Sequence, residues 1–314
     1  MKTARTALVA LATLAFAGGA LAQGCQPSKW GADDQMGAGN LVTPERTKEA
    51  LKLVKQGKSH GLGIVIGPET PAFAPRSLNL QVVQPGQQAG QYARMGYDGS
   101  YNDDIVQMWF GIGSQIDGLG HLGEHNTYYN CNTAAEISQI TGLTKLGVEH
   151  IPPLVARAVL VDMTKARGKD HLDAGETINA EELQQAMQDQ GIEVGEGDIV
   201  LIHTGWTDAM LKDDPQAWVS GEPGILPDAA EWLAEQNVMA VGADIWGLDV
   251  VPAPEGGKTF YSHVVLLKQN GIYILETMNT GPLAEEGVKE FMFVLGQPKV
   301  RGAVQMIINP VALY

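Results

Sequence analysis

Short hydrophobic runs alternate with amphipathic segments through the second half of the chain. The runs predict buried strands, and the segments between them predict helices. The predicted strands cover residues 156–163, 197–206, 238–244 and 271–276, and the predicted helices cover residues 179–190, 227–237 and 262–269. Strands that alternate with helices imply an α/β layer whose strands are partly parallel.

Capping residues mark where several predicted helices begin. Thr43 precedes Pro44 and is expected to cap a helix that ends near Gly57. Asn179 and Ser262 are expected to cap the helices at 179–190 and 262–269. Because no internal repeat or convincing linker is visible, residues 23–314 are predicted to form a single domain.

The first 22 residues have the composition of a secretory signal peptide. Two basic residues precede a short apolar run that ends in Ala20-Leu21-Ala22, so cleavage after Ala22 is expected. As a membrane anchor the run is shorter than the ~20 residues that span a bilayer. Lipid attachment at Cys25 remains a minor alternative. The predicted location is therefore the periplasm or the extracellular medium.

Charge and cysteine content exclude several classes of protein. The formal net charge of −15 disfavours binding to nucleic acid or to anionic membrane. With only two cysteines, Cys25 and Cys131, a cysteine-rich metal site is excluded. An oxidising compartment makes a disulfide an option, within or between chains.

The segment at residues 113–125 concentrates polar side chains and glycines. Its end fits the H-x-x-E-H pattern of a zinc peptidase helix, but the three glycines around His121 disfavour a helix. On an extended chain, Gln115 and Asp117 point to one face, and the glycines allow a turn that returns His121 towards Asp117. Such a cluster suits Zn²⁺ or Mn²⁺. A polar loop with a hydrogen-bonded histidine is the plainer alternative.

Two distant residues favour the metal site. His263 stands at the start of a predicted helix, and Glu276 ends an otherwise apolar strand. A buried carboxylate must be paired, hydrogen-bonded or bound to metal to be tolerated. His203, Asp244 and Asp249 also lie in or after buried strands, and they are interpreted as structural or supporting groups.

The order of these blocks resembles the metal-dependent cyclase or kynurenine formamidase-like hydrolases, which include arylformamidases, isatin hydrolase and trans-dienelactone hydrolase. The family signature H-x-G-T-H-x-D-x-P-x-H falls on residues 111–121, and the resemblance continues through 197–206, 227–249 and 262–279. It implies a cyclase-like α/β fold with a central mixed sheet flanked by helices. It also implies a homo-oligomer, a dimer or larger.

Carried onto this chain, the family's metal ligands fall on Asp117, His263 and Glu276, and His121 matches the signature's last histidine. The first two signature histidines are Gly111 and Gln115 here, which resembles the Ser-Gln-x-Asp variants of the family. We therefore expect one Zn²⁺ or Mn²⁺ ion per chain, with Gln115 as a neutral oxygen ligand or a substrate hydrogen-bond donor.

The implied reaction is hydrolysis of a cyclic or aryl amide, imide or lactone by attack of metal-bound water. His121 is expected to act as general base and then acid, and Glu276 is counted with both the catalytic and the metal-binding groups. N-formylkynurenine hydrolysis, an arylformamidase step of tryptophan catabolism, is one such activity. Candidate substrate-binding residues are Ser114, Trp109, Phe110, Tyr128 and Tyr129. The alternative is a non-catalytic periplasmic protein that binds a small molecule on the same fold.

Overall fold

A nine-stranded mixed sheet forms the centre of the fold. This computed structural model describes residues 25–87 and 91–314, so the predicted signal peptide lies outside the described residues. The strands are β1 (Ser59–Gly61), β2 (Leu78–Val83), β3 (Ala93–Arg94), β4 (Asp98–Gly99), β5 (Asp103–Met108), β6 (Gln115–Asp117), β7 (Ser138–Gln139), β8 (Gly142–Leu143), β9 (Leu154–Asp162), β10 (Thr177–Ile178), β11 (Ile199–His203), β12 (Gly224–Ile225), β13 (Ala240–Ala243), β14 (Tyr273–Glu276), β15 (Glu290–Leu295), β16 (Gln305–Ile307) and β17 (Val311–Leu313).

Helices connect the strands and cover the sheet. They are α1 (Pro44–Leu51), α2 (Ala134–Ile137), α3 (Met163–Arg167), α4 (Ala180–Gln190), α5 (Trp206–Met210), α6 (Pro215–Ser220), α7 (Pro227–Glu235), α8 (Tyr261–His263) and α9 (Gly281–Glu285). A π-helical segment, Val264–Gln269, continues α8. No helix in the described part of the chain is long and apolar enough to span a bilayer.

The strand order confirms a mixed sheet. Across it the order is β1, β17, β15, β9, β11, β13, β14, β6, β16. The central strands β9, β11, β13 and β14 run parallel, and antiparallel neighbours extend the sheet on both sides. The parallel strands are almost entirely buried, as expected of a sheet covered by helices.

Two of the predicted caps are present, and one is not. The side chains of Thr43 and Asn179 accept from the third residue beyond them, at 3.2 Å and 2.9 Å. Ser262 does not cap its helix, because α8 already begins at Tyr261 and the Ser262 hydroxyl has no partner. Instead, the backbone N–H of Ser262 donates to Asp249 at 2.8 Å.

Helix α1 ends at Leu51 and not at Gly57. Beyond it the backbone N–H groups of Gln56 and Lys58 donate to the carbonyl of Tyr314, at 3.2 Å and 3.1 Å. These bonds align the segment with the C-terminal strand β17, which an uninterrupted helix could not do.

A disulfide joins Cys25 to Cys131 and uses both cysteines of the chain. This is the intrachain form of the pairing that the sequence left open, and it leaves no free thiol at Cys25 for a lipid. The bond closes a loop of 106 residues. In the chain-entropy model, a loop of this length stabilises the folded state by about 4–5 kcal/mol.

Candidate metal site

Strands β6 and β14 lie side by side and bring three polar side chains together. Gln115 pairs directly with Glu276, and Asp117 lies two residues further along the same face of β6. The segment is therefore extended and not a peptidase helix. A turn closed by the bond from the His121 N–H to the Gly118 carbonyl, at 3.0 Å, follows β6. It places His121 Nε2 3.8 Å from Asp117 Oδ2, as the extended interpretation predicted.

His263 approaches the same carboxylates from helix α8. Its Nε2 lies 3.5 Å from Asp117 Oδ2 and 3.2 Å from Glu276 Oε1. Its Nδ1 lies 2.7 Å from Asp249 Oδ2, so Asp249 fixes the orientation of the ring. A carboxylate behind an imidazole is the usual support of a metal-binding histidine, because it directs the other nitrogen at the ion.

Asp117 has one satisfied oxygen and one bare oxygen. Oδ1 accepts from the Gln305 amide at 2.8 Å, whereas Oδ2 has no hydrogen-bond donor although the side chain is fully buried. One ligand atom each from Asp117, His121 and His263 lies within 4.8 Å of the others. A buried carboxylate oxygen without a hydrogen-bond donor needs a cation beside it. Carboxylate oxygens and imidazole nitrogens are ligand atoms that divalent transition-metal ions prefer. The residues therefore fit a metal ion.

The pKa values indicate a pocket that stabilises positive charge. Burial opposes ionisation of Asp117, but His121, His263 and Gln305 outweigh it and lower the pKa of Asp117 to about 2. Burial also opposes a charge on His263, yet the neighbouring carboxylates of Asp117, Asp249 and Glu276 hold its pKa well above the ordinary value. Burial, with Asp117 nearby, raises the pKa of Glu276 to about 7.

His121 differs from its neighbours in exposure. Its side chain is 19% exposed, whereas those of Asp117, His263 and Glu276 are at most 4% exposed. Burial lowers the pKa of His121, and the positive charges of His263 and Arg76 add to this against the opposing effect of Asp117. His121 is thus a neutral imidazole at the open side of the cluster.

Gln115 takes a different position from that of a ligand. Its amide nitrogen donates to Glu276 Oε2 and lies 3.4 Å from Asp117 Oδ1. A metal ligand would have to present the amide oxygen instead. Gln115 is therefore a donor to two carboxylates in this structure, and its expected roles as a neutral oxygen ligand or a substrate hydrogen-bond donor stay predictions.

The structure does not bring the predicted substrate-binding residues into this cluster. Ser114 is buried, and its hydroxyl donates to the Thr277 carbonyl and accepts from Ile64 N. Tyr129 is buried beside the disulfide, where its hydroxyl contacts Ser28 and Asp34. Tyr128 lines a cleft next to Cys25, and Trp109 and Phe110 line a surface groove that reaches Gln305 but neither site histidine.

Residues that carried no sequence signal surround Gly111. A Cβ at Gly111 would lie 2.6 Å from Arg76 Nη1 and 2.8 Å from Gln305 Oε1. Arg76 Nη1 also donates to the Gly111 carbonyl at 2.6 Å. The missing side chain at position 111 thus leaves a space that Arg76 and Gln305 fill, beside the Asp117 carboxylate.

Aromatic rings form one wall of the site. Phe73 stacks on Trp246 with ring centroids 5.5 Å apart, and Phe260 lies edge-on to His263 at 5.6 Å. Trp246 and Phe260 are 6.2 Å apart, so the rings are continuous. Phe73, Arg76 and Trp246 line a small cavity that ends at Gln115. Their sequence positions are scattered, and only the fold shows that they meet.

A buried acid lies behind this wall. Glu222 is fully buried. One carboxyl oxygen accepts from the backbone N–H of Trp246 at 2.6 Å, and the other has no hydrogen-bond partner. Burial, with Glu276 nearby, raises the pKa of Glu222 well above its ordinary value. Glu222 supports the loop that carries Trp246 through the bond to the Trp246 backbone N–H.

A second histidine–aspartate cluster lies at the ends of β11 and β13. His203 Nδ1 is 2.8 Å from the Thr280 hydroxyl and 3.3 Å from Asp244 Oδ2. With Asp208 these residues also offer ligand atoms within 4.8 Å of one another. Both Asp244 oxygens, however, already accept from Thr204 or Gly205, at 2.7–2.8 Å. The cluster is therefore a satisfied structural network.

Comparison with known proteins identifies the family of this chain. A family model described as a putative cyclase matches residues 60–250. The chain belongs to the cyclase family. A solved structure described as a novel cyclase is 31% identical, with a TM-score of 0.81 over 91% of this chain and 96% of that one. No curated protein matches.

More distant structures share the fold. Isatin hydrolase A from Labrenzia aggregata, bound to benzyl benzoate, has 17% identity and a TM-score of 0.61 over 84% of this chain and 97% of that chain. A predicted metal-dependent hydrolase from Bacillus stearothermophilus has 15% identity and a TM-score of 0.53 over 81% of this chain and 97% of that one. The cyclase-like fold expected from the sequence is confirmed.

Proposed function

We propose that this protein is a metal-dependent hydrolase that opens or cleaves a cyclic or aryl amide, imide or lactone, and that arylformamides are among the substrates to test. The observation that carries the proposal is the bare Asp117 Oδ2 oxygen, buried between two imidazole nitrogens. The naming of structural neighbours as isatin hydrolases and metal-dependent hydrolases supports the same chemistry.

Asp117, His263 and Glu276 would hold the ion, one Zn²⁺ or Mn²⁺ per chain. Their side chains are nearly inaccessible, and His263 lies within 3.5 Å of an oxygen of each carboxylate. A divalent cation held there polarises a carbonyl group and acidifies water. Asp249 Oδ2, 2.7 Å from His263 Nδ1, would hold a proton on that nitrogen when a metal ion is bound and leave Nε2 directed at the two carboxylates.

His121 would carry the proton. It takes a proton from the attacking water as a neutral imidazole and returns it to the leaving group. Its partial exposure at the open side of the cluster supports this role, because a substrate can reach the imidazole from there. Gln115 holds the Glu276 and Asp117 carboxylates in place through its amide N–H group.

Several features support export from the cytoplasm. The leader has the composition of a signal peptide, and the Cys25–Cys131 bond is of a kind that persists in oxidising compartments. We propose a periplasmic or secreted protein that acts on a small molecule, and homo-oligomerisation stays a prediction.

The direct test is hydrolysis of a panel of lactones, cyclic imides and aryl formamides, before and after chelation. Turnover should disappear with chelator and return with Zn²⁺ or Mn²⁺. His125→Gln is a matched control, because His125 lies on the same segment but its side chain is 88% exposed. Turnover that survives complete removal of metal would contradict the proposal. A bound ion without turnover on any of these substrates would favour the small-molecule binding protein.

A further inference from the structure

We propose that Arg76 is a specificity-determining residue that binds an anionic oxygen, a carboxylate above all, on a substrate with a planar ring. This inference rests on the proposed function, since it describes the substrate of the same site. The surroundings of Arg76 are unusual for a partly buried guanidinium.

Arg76 has no acidic partner. None of the residues in the described parts of the chain forms a salt bridge with Arg76, although the chain carries 36 acidic residues. Among the described residues, the guanidinium makes one hydrogen bond, from Nη1 to the backbone carbonyl of Gly111. A guanidinium has five N–H donors arranged as a fork, and the fork matches a carboxylate. Arg76 therefore retains donors for a ligand.

The position of Arg76 directs these donors at the site. Its guanidinium fills the space beside Gly111, next to Gln305 Oε1, and Gln305 in turn donates to Asp117. Arg76 also lines the cavity that Phe73 and Trp246 border. The cavity itself holds about 10 Å³, but Phe73 at its mouth is 48% exposed. A planar ring packed over the exposed side of Phe73 would direct a carboxylate towards the guanidinium.

The charge of the site explains why such a residue is needed. With a metal ion bound and His263 a neutral ligand, the ionised side chains of Asp117, Asp249 and Glu276 would carry three negative charges, and a divalent cation would balance two of them. One negative charge remains and would repel an anionic substrate, unless Arg76 offsets it. Without Arg76 the loaded site is net negative, so anionic ligands should lose affinity while neutral ligands should not.

The test compares two probes of similar shape, benzoate and benzamide, by isothermal titration calorimetry on the metal-loaded protein. Wild type should bind benzoate at least about tenfold more tightly, the usual size of a charge-assisted hydrogen bond. Arg76→Gln should weaken benzoate about tenfold or more and leave benzamide within about twofold. Arg76→Lys should give an intermediate loss, because it keeps the charge but not the fork.

Arg301→Gln is the matched control, because Arg301 is exposed and belongs to another groove. It should change neither affinity. Equal binding of the two probes by wild type would overturn the inference without the need for any variant, and so would unchanged benzoate affinity in Arg76→Gln. Metal content is measured on the same samples, so that a protein without metal contradicts the proposed function, whereas a loaded protein indifferent to Arg76 contradicts only this inference.

Discussion

Two clusters in this protein have nearly the same composition and opposite states. Around Asp117 and around Asp244, a buried aspartate lies beside a histidine, and both aspartates lie in or just after a strand of the central sheet. Asp244 receives donors on both oxygens from Thr204 and Gly205. Asp117 keeps one bare oxygen between two imidazoles. The feature that distinguishes the metal site from the structural network is therefore a buried carboxylate oxygen without a hydrogen-bond donor, and not the residue composition.

The largest expected difference between the clusters concerns their aspartates, because loss of the carboxylate charge should affect turnover at one cluster and stability at the other. Asp117→Asn should reduce turnover by about 10³-fold or more, because it weakens binding of the metal ion and so reduces polarisation of the substrate carbonyl. Asp244→Asn should instead reduce the free energy of unfolding by about 1.5–3 kcal/mol, since an amide cannot accept on both sides. Steady-state kinetics and urea unfolding on both variants measure the two effects. Equal losses of turnover in the two variants would contradict the assignment of one cluster as a metal site and the other as a structural network.

The second prediction separates proton transfer from metal binding. His121→Ala should reduce turnover by about 10²–10⁴-fold and retain the ion, because the remaining carboxylates and His263 hold it. Elemental analysis together with kinetics measures both quantities. If His121→Ala lost the ion, His121 would be a ligand and another group would carry the proton.

The third prediction concerns the support behind His263. Asp249→Asn should weaken metal affinity by about 10–100-fold, because the imidazole loses the carboxylate that orients it. Competition with a chromophoric chelator gives the affinity. The His203 cluster offers the control, since Thr280→Val removes a comparable histidine contact there and should leave metal affinity unchanged.

The smallest effect concerns the pH dependence of stability at the second cluster. Burial opposes a charge on His203, but Asp244 outweighs it and raises the pKa of His203 from 6.5 to about 8. Because this pKa is higher in the folded than in the unfolded state, protonated His203 stabilises the fold by about 2 kcal/mol below about pH 6.5. The stabilisation is lost as the pH rises through about 8. Urea unfolding at about pH 6 and about pH 9 should show this loss in wild type but not in His203→Gln. Parallel pH profiles for the two proteins would contradict it.

The sequence was informative where local chemistry determines structure. Thr43 and Asn179 cap their helices because capping needs only neighbouring backbone groups. Glu276 was singled out because an acid at the end of a buried strand needs a partner, and Asp117 because it shares a face with Gln115 on an extended chain. His263 was singled out by its place at the start of a predicted helix, and the family resemblance then aligned it with a metal ligand.

Residues brought together by long-range packing were not predictable. Arg76 reaches the site only because Gly111, 35 positions further along the chain, lacks a side chain. Tyr129 follows the signature closely and was predicted to bind substrate, but its hydroxyl is hydrogen-bonded to Ser28 and Asp34. Ser262 looked like a cap, yet the Asp249 carboxylate already accepts from its backbone N–H.

The most direct test of the central claim is the metal content of three proteins purified without chelator and incubated with Zn²⁺ or Mn²⁺. Wild type and His203→Ala should each hold about one ion per chain, the stoichiometry of a mononuclear catalytic site, and His263→Ala should hold none. Wild type without metal, or an ion that persists in His263→Ala and disappears in His203→Ala, would contradict the assignment of the metal to Asp117, His263 and Glu276.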